Sequence, residues 1–194
     1  MKNTSWKASS ELTELPFVDH QNLARVAISG ARENLNAIFE LVAHGTPTGV
    51  QADVLHWRTR AFFWELFSAW DLFLNWANDR FELRLSAGEP QTETIVGRYS
   101  DKKGWHEVRD ILLEAKQSEW FFEISRYRDF SHRSFSRTQG PRVESGGRHS
   151  VYLPLARDGQ SLLPIEEHLQ RYLDHMIEVG LLIESLKRDV DQAA

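Results

Sequence analysis

The chain has 194 residues, a net charge of −5, 41% apolar and 26% charged residues, and no cysteine. That size and composition fit one globular domain with a sizeable core. The missing cysteine excludes a disulfide framework, thiolate catalysis and a zinc–thiolate site, and the acidic balance argues against a general nucleic-acid coat protein.

Seven Trp and eleven Phe predict extensive aromatic burial. The first residues, Met1 to Lys7, carry positive charge with no apolar run behind it, so no secretory signal is expected. A cytoplasmic location agrees with that and with the lack of cysteine. Residues 1–19 are polar, contain Pro16, and read as an N-terminal arm; residues 20–191 read as a single helical domain.

From about His20 to His44, Leu23, Ala27, Ala31, Leu35, Ile38 and Val42 recur at helical spacing, and Gly45, Pro47 and Gly49 end the pattern. A second, long helix is predicted from about Gln51 to Leu85. Its centre, Ala61 to Ala77, is apolar or aromatic on nearly every side except one line through Glu65, Ser68, Asp71, Asn75 and Asn78. Those charges and amides also exclude a membrane span. A helix of this kind belongs at the centre of a bundle, with the polar line facing solvent or pairing with buried donors.

Ser86 to Gly104, with Gly88, Pro90, Gly97 and Gly104, reads as a loop. A third helical segment starts near Trp105, runs through Val108, Ile111, Leu112 and Ala115, breaks near Lys116–Ser118, and resumes through Trp120, Ile124 and Tyr127. Residues 140–163 form an insertion in which Val151–Leu155 and Gln160–Leu163 flank Arg157-Asp158-Gly159, as in a small β-hairpin; Pro154 demotes its first strand to an edge. The last helix starts at about Pro164, a residue suited to a first turn, and runs to Asp191, with Leu169, Leu173, Ile177 and Gly180 or Leu181 inward. These elements make an all-α, four- to five-helix up-and-down bundle with a short β-hairpin insertion before the last helix.

The chemistry concentrates in Arg126-Tyr-Arg128-Asp129-Phe-Ser-His132-Arg133, which places two guanidiniums, a carboxylate and an imidazole within seven residues. Arginine stabilises phosphoryl charge, and histidine carries protons near neutral pH. Between Arg126 and His149 six Arg stand against Asp129 and Glu144, a local basic window on an acidic protein, with Arg133 and Arg137 as phosphate contacts. Spacing alone is no argument. With 17 Arg and eight His, about two pairs with four to six residues between them arise by chance, and two occur, Arg126–His132 and Arg142–His149. Context separates them: Arg142–His149 spans Gly146-Gly147, whereas Arg126–His132 lies in a helix that Tyr127 and Phe130 can pin. In a regular helix Arg128 and His132 share a face, while Arg126 lies about 120° round from His132 on the line of Asp129 and Arg133.

This stretch resembles the HEPN superfamily, small helical bundles that include many RNA-cutting toxins of prokaryotes, in the branch whose motif ends in His-Arg. The helix Phe62-Phe-Trp-Glu-Leu-Phe-Ser-Ala-Trp-Asp71 is similar to the core helix of that family. The resemblance implies metal-independent RNA cleavage, with His132 as general base or acid, Arg126 or Arg128 on the phosphorane, and Asp129 orienting the imidazole. It also implies a homodimer that joins two motifs in one cleft, no cofactor, and a cognate antitoxin or other partner protein. Arg128 has the polar follower of the family motif but lies close to His132; Arg126 has the family spacing but is followed by Tyr127. Both stay open as the acting arginine. The plainer alternative is a charge ladder of Arg126, Asp129 and Arg133 on a solvated face, in a non-catalytic interaction module.

Three weaker candidates complete the survey. Asp53–His56 and Asp129–His132 are the two Asp-x-x-His pairs; no Glu-x-x-His occurs, and a di-metal set needs Glu-x-x-His twice with further carboxylates. Arg171–His175 reads as surface. Gly146-Gly-Arg-His is too isolated to act as a phosphate loop.

Overall fold

The computed structural model describes residues 20–45, 47–86, 91–133, 142–144, 150–153 and 164–192; side-chain surroundings at 128–133, 142–144, 150, 152 and 187–192 fall outside that description. The fold is all-α. Six helices are present among the described residues: α1 (His20–Ala43), α2 (Val50–Arg80), α3 (Thr92–Val96), α4 (Trp105–Gln117), α5 (Glu119–Arg133) and α6 (Ile165–Gln192). Two three-residue strands, β1 (Arg142–Glu144) and β2 (Ser150–Tyr152), pair antiparallel with Val143 opposite Val151. Val151 was expected to start a strand facing residues 160–163, which lie outside the described residues; it pairs with Val143 in the segment before it.

The expected central helix is central. α2 packs against α1, α3, α5 and α6. Phe62, Phe63, Leu66, Phe67, Trp70, Phe73 and Leu74 are all buried on it, within an arc of about 140° that forms its inward side. α1 lies against α2 along Ala24, Ala27, Ala31, Leu35 and Ile38, whose spacing of three, four, four and three makes one stripe of mostly small residues. The approach is close at Gly30, where a Cβ would come within 2.9 Å of Glu65 Cδ. Gly180 of α6 is similar: a Cβ there would lie 3.0 Å from Phe73 Cζ. Arg25 on α1 pairs with Glu184 on α6 at 2.7 Å, joining the two helices that flank α2.

α2 ends at Arg80, five residues before the predicted Leu85. The reason is tertiary. Phe81, Leu83 and Leu85 are buried in alternation, a period-two pattern that a helix cannot supply. The exposed residues between them, Glu82 and Arg84, take φ of 52° and 61°, a left-handed conformation unfavourable for non-glycine residues. Asn78 holds the turn: Leu85 N donates to Asn78 Oδ1 at 3.0 Å, and Asn78 Nδ2 donates to Leu85 O at 3.3 Å.

The predicted loop after it contains α3, whose Ile95 is fully buried. Gly104, at φ 84°, turns the chain into α4 with Trp105 in the core. The break between α4 and α5 falls at Ser118, within the stretch where the apolar pattern lapses. Its Oγ donates to Ala115 O and accepts the Phe121 N–H at 3.3 Å, ending one helix and capping the next. Among the described residues no helix is long and apolar enough to cross a membrane.

Candidate functional site

α5 carries the Arg–His stretch, and its inward residues are firmly placed. Ile124 is fully buried, Phe121 packs on Trp70 with ring centroids 4.5 Å apart, and Tyr127 stacks on Phe63 at 4.5 Å with planes 12° apart. The backbone continues as helix to Arg133 without interruption. No break in the helix separates position 126 from 132, and helical periodicity assigns the sides. Positions 121, 125, 128 and 132 share one side; 122, 126, 129 and 133 share another.

Arg126 follows that assignment. It is half-buried, with its guanidinium carbon 6.0 Å from the ring of Phe122, which is 47% exposed. The side chains of Arg128, Asp129, His132 and Arg133, and the whole of Arg137, lie outside the described residues, so the structure gives the backbone positions of the first four and no contact among them.

Phe121 and Ser125 of α5 line a cleft of about 480 Å³ between α2, α3, the end of α4 and α5. Phe67, Trp70, Leu74 and Phe121 form its floor, and Asp71, Asn75, Glu93, Lys116 and Ser125 are among its polar groups. Trp70 Nε1 donates to Thr92 Oγ1 at 3.0 Å, fixing α3 over α2. Lys116 pairs with Glu93 across the mouth, while partial burial lowers the lysine pKa from its ordinary value. The polar line of α2 is thus half-buried and splits in use: Asp71 and Asn75 line the cleft, and Asn78 holds the turn beyond it.

Behind α5 lies a second polar group that sequence reasoning missed. Tyr172 donates its hydroxyl to Glu123 Oε2 at 2.7 Å, and His168 Nε2 stands 3.8 Å from the same oxygen. His168 is 4% exposed, and its Nδ1 has no hydrogen-bond partner. Burial pushes the Glu123 carboxyl up, but the nearby His168 and the Tyr172 hydrogen bond outweigh it and hold the pKa below the carboxylate norm. Burial, then the bond to Glu123, raises the Tyr172 hydroxyl well above the tyrosine norm; burial likewise raises Tyr127. The group joins α5 to α6 through the charge-assisted Tyr172–Glu123 bond, with His168 beside it. The missed signal was the i,i+4 spacing of His168 and Tyr172 within the apolar side of α6.

The remaining candidates separate. Arg171 is exposed, and His175 stacks on Trp120 with ring centroids 5.4 Å apart. Asp53 is exposed and His56 half-exposed; among the described residues no three His, Asp or Glu side chains converge as metal ligands. Arg142 sits in β1, and His149 is outside the described residues.

No protein-family model, curated protein or solved structure matches the chain.

Proposed function

We propose that the chain is an HEPN-like, up-and-down helical bundle that cleaves RNA without a metal ion, using the Arg–His stretch of α5. The observation that supports this most is the unbroken course of α5 to Arg133 over inward residues fixed by stacking and burial. A rigid helix is the support such chemistry needs, because positioning accounts for much of the rate. His132 takes the proton of a ribose 2′-OH; the 2′-oxygen attacks phosphorus, and the bond to the 5′-oxygen breaks as that oxygen accepts a proton. The products are a 2′,3′-cyclic phosphate and a 5′-hydroxyl. Arg128, on the same side as position 132, neutralises the phosphorane, and Arg126 holds a neighbouring phosphate. Asp129 orients the imidazole of His132, and Arg133 and Arg137 extend the phosphate track. A homodimer joins two such stretches, and a cognate antitoxin or other partner protein restrains them in a reducing cytoplasm.

End-labelled RNA incubated with protein in EDTA tests this. The wild type should cleave, and His132→Ala should lose about 10²–10⁴-fold, the usual worth of a general acid or base. Arg128→Ala should lose more than Arg126→Ala. Equal rates for wild type and His132→Ala, or no cleavage by either folded protein, ends the proposal.

A second reading has its own observation. Val50, Val54, Trp57 and Trp64 are exposed on α2, an apolar face of the kind that binds protein. A non-catalytic interaction module would bind a partner through it and leave RNA intact.

A further inference from the structure

We infer that the first four turns of α2 form an antiparallel, two-fold interface with a second copy of this chain, centred between Val54 and Trp57. The inference specifies the dimer named above and does not depend on cleavage.

Val50, Val54, Trp57, Ala61 and Trp64 follow one another by four, three, four and three residues, the spacing of a coiled-coil seam. In a monomer this seam is open: Val50 is 78% exposed and Trp57 68%. It stops at Trp64; one turn on, the same side carries Ser68, then Asp71 and Asn75 at the cleft. The apolar side is therefore as long as one short helix–helix contact and no longer.

The flanking charges point to the occupant and its direction. Arg58 is already engaged, donating to Asn34 Oδ1 of α1 at 3.1 Å, and Glu65 lies against Gly30 of the same helix. Asp53 and Arg60 remain beside the seam. They are seven residues apart, about 10 Å along the helix, too far to meet within one chain. Asp53 is exposed and makes no ion pair among the described residues; Arg60 rests over the Trp57 ring at 5.8 Å. In an antiparallel pair centred between Val54 and Trp57, Asp53 of each copy faces Arg60 of the other, twice by symmetry. The same register sets the large Trp57 against the small Val54, and Val50 against Ala61. Shifting the centre towards residue 59 would bring Arg58 and Arg60 against their own copies. A parallel pair would stack Trp57 on Trp57 and draw on Arg58 and Glu65, both turned towards α1. Charge and volume favour the antiparallel arrangement.

The arrangement bears on α5. Phe63 meets Tyr127 and Phe67 meets Phe121, so α5 runs antiparallel to α2, and its last turn lies at the Val50 end. An interface there brings the ends of both α5 helices to the same edge of the dimer.

Sedimentation across 1–100 μM, about the range for an interface of this size, is the measurement. The wild type should dimerise, and Trp57→Glu, a change at an exposed site, should raise the dissociation constant about tenfold or more while leaving the helical circular dichroism unchanged. Asp53→Arg and Arg60→Asp should each weaken the dimer about tenfold, and the double variant should restore it to within about threefold. A monomer throughout, or a dimer indifferent to Trp57→Glu, overturns the inference. A double variant weaker than either single one would mean a parallel pair and overturns the register. Trp57 shielded from a fluorescence quencher in a monomer, and unshielded on deletion of residues 1–19, would mean that the chain's own arm occupies the face.

Discussion

Along the first turns of α2 the outward side presents Val50, Val54, Trp57 and Trp64 to solvent; along the last turns it presents Ser68, Asp71, Asn75 and Asn78, all half-buried. The inward side of the same helix does not change: Leu55, Phe62, Phe63, Leu66, Trp70 and Leu74 are buried from end to end. One helix therefore has a uniform relation to its own core and two relations to what lies outside it. Where neighbours cover the outer side, it is polar and makes specific hydrogen bonds. Where the outer side stays exposed, it is apolar. That inverts what solvent contact alone would select, since exposed positions in a monomer favour polar residues and an apolar stripe signals a partner.

The common inward side is the first thing to test, and the effect should be the largest. Phe63→Ala in the first half and Trp70→Ala in the second should each cost about 3–5 kcal/mol in denaturant unfolding, as large aromatic truncations in a close-packed core do. Trp70→Ala also strands the Thr92 hydroxyl that accepts its indole N–H. A cost at Phe63 far below that at Trp70 would mean the two halves differ inwardly as well, and the comparison would fail.

A smaller effect is expected at Glu123, where a polar group is kept inside by bonds and not by exposure. Glu123→Gln should cost about 1–3 kcal/mol near neutral pH, because the Tyr172 hydroxyl and His168 lose a charged acceptor. The sign of the pH dependence follows from the direction of the shift. The folded carboxyl has a pKa below its ordinary 4.5, so its stabilisation is complete above about 4.5 and is lost as pH falls through the lower folded value. Unfolding of the wild type followed from pH 7 to pH 3 should show that loss, and Glu123→Gln should flatten the curve over the same window. An unchanged slope would show that the Glu123–His168–Tyr172 group does not hold α5 to α6.

The same contrast explains what could be read from the chain alone. The helices α1, α2, α4, α5 and α6 were legible because each repeats apolar residues at helical spacing for three turns or more, and the break at Ser118 because that repeat lapses there. The end of α2 was not, since Phe81, Leu83 and Leu85 extend an apolar run whose true period is two, and only Asn78 and the left-handed Glu82 and Arg84 show it. α3 was hidden because five residues are too few for periodicity to register. At the candidate site, the helix that bears Arg126 and His132 was legible. The cleft was not, because Asp71, Glu93, Lys116 and Ser125 come from four separate helices and meet only through packing. The exposed face of α2 was written in the spacing of Val50, Val54, Trp57 and Trp64, but a helix apolar on nearly every side gives no hint of which side stays open.

The smallest effects lie on the outer side itself, and they discriminate best between its halves. Asn78 looks like a surface amide, yet both its side-chain atoms bond to the Leu85 backbone and close the turn that places Leu83 and Leu85 in the core. Asn78→Ala should destabilise by about 1–2 kcal/mol, because Leu85 loses a donor and an acceptor partner in a half-buried turn. Trp57→Ala removes far more surface but at a side chain 68% exposed, so unfolding at submicromolar concentration, where the dimer has dissociated, should shift by no more than about 0.5 kcal/mol. At tens of micromolar the two should diverge in a second way. The wild type gains stability with concentration through its partner copy and Trp57→Ala does not, whereas Asn78→Ala keeps that concentration dependence at a lower absolute stability. Equal responses of the two variants at both concentrations would mean that the outer side of α2 is one surface, with no division at Trp64.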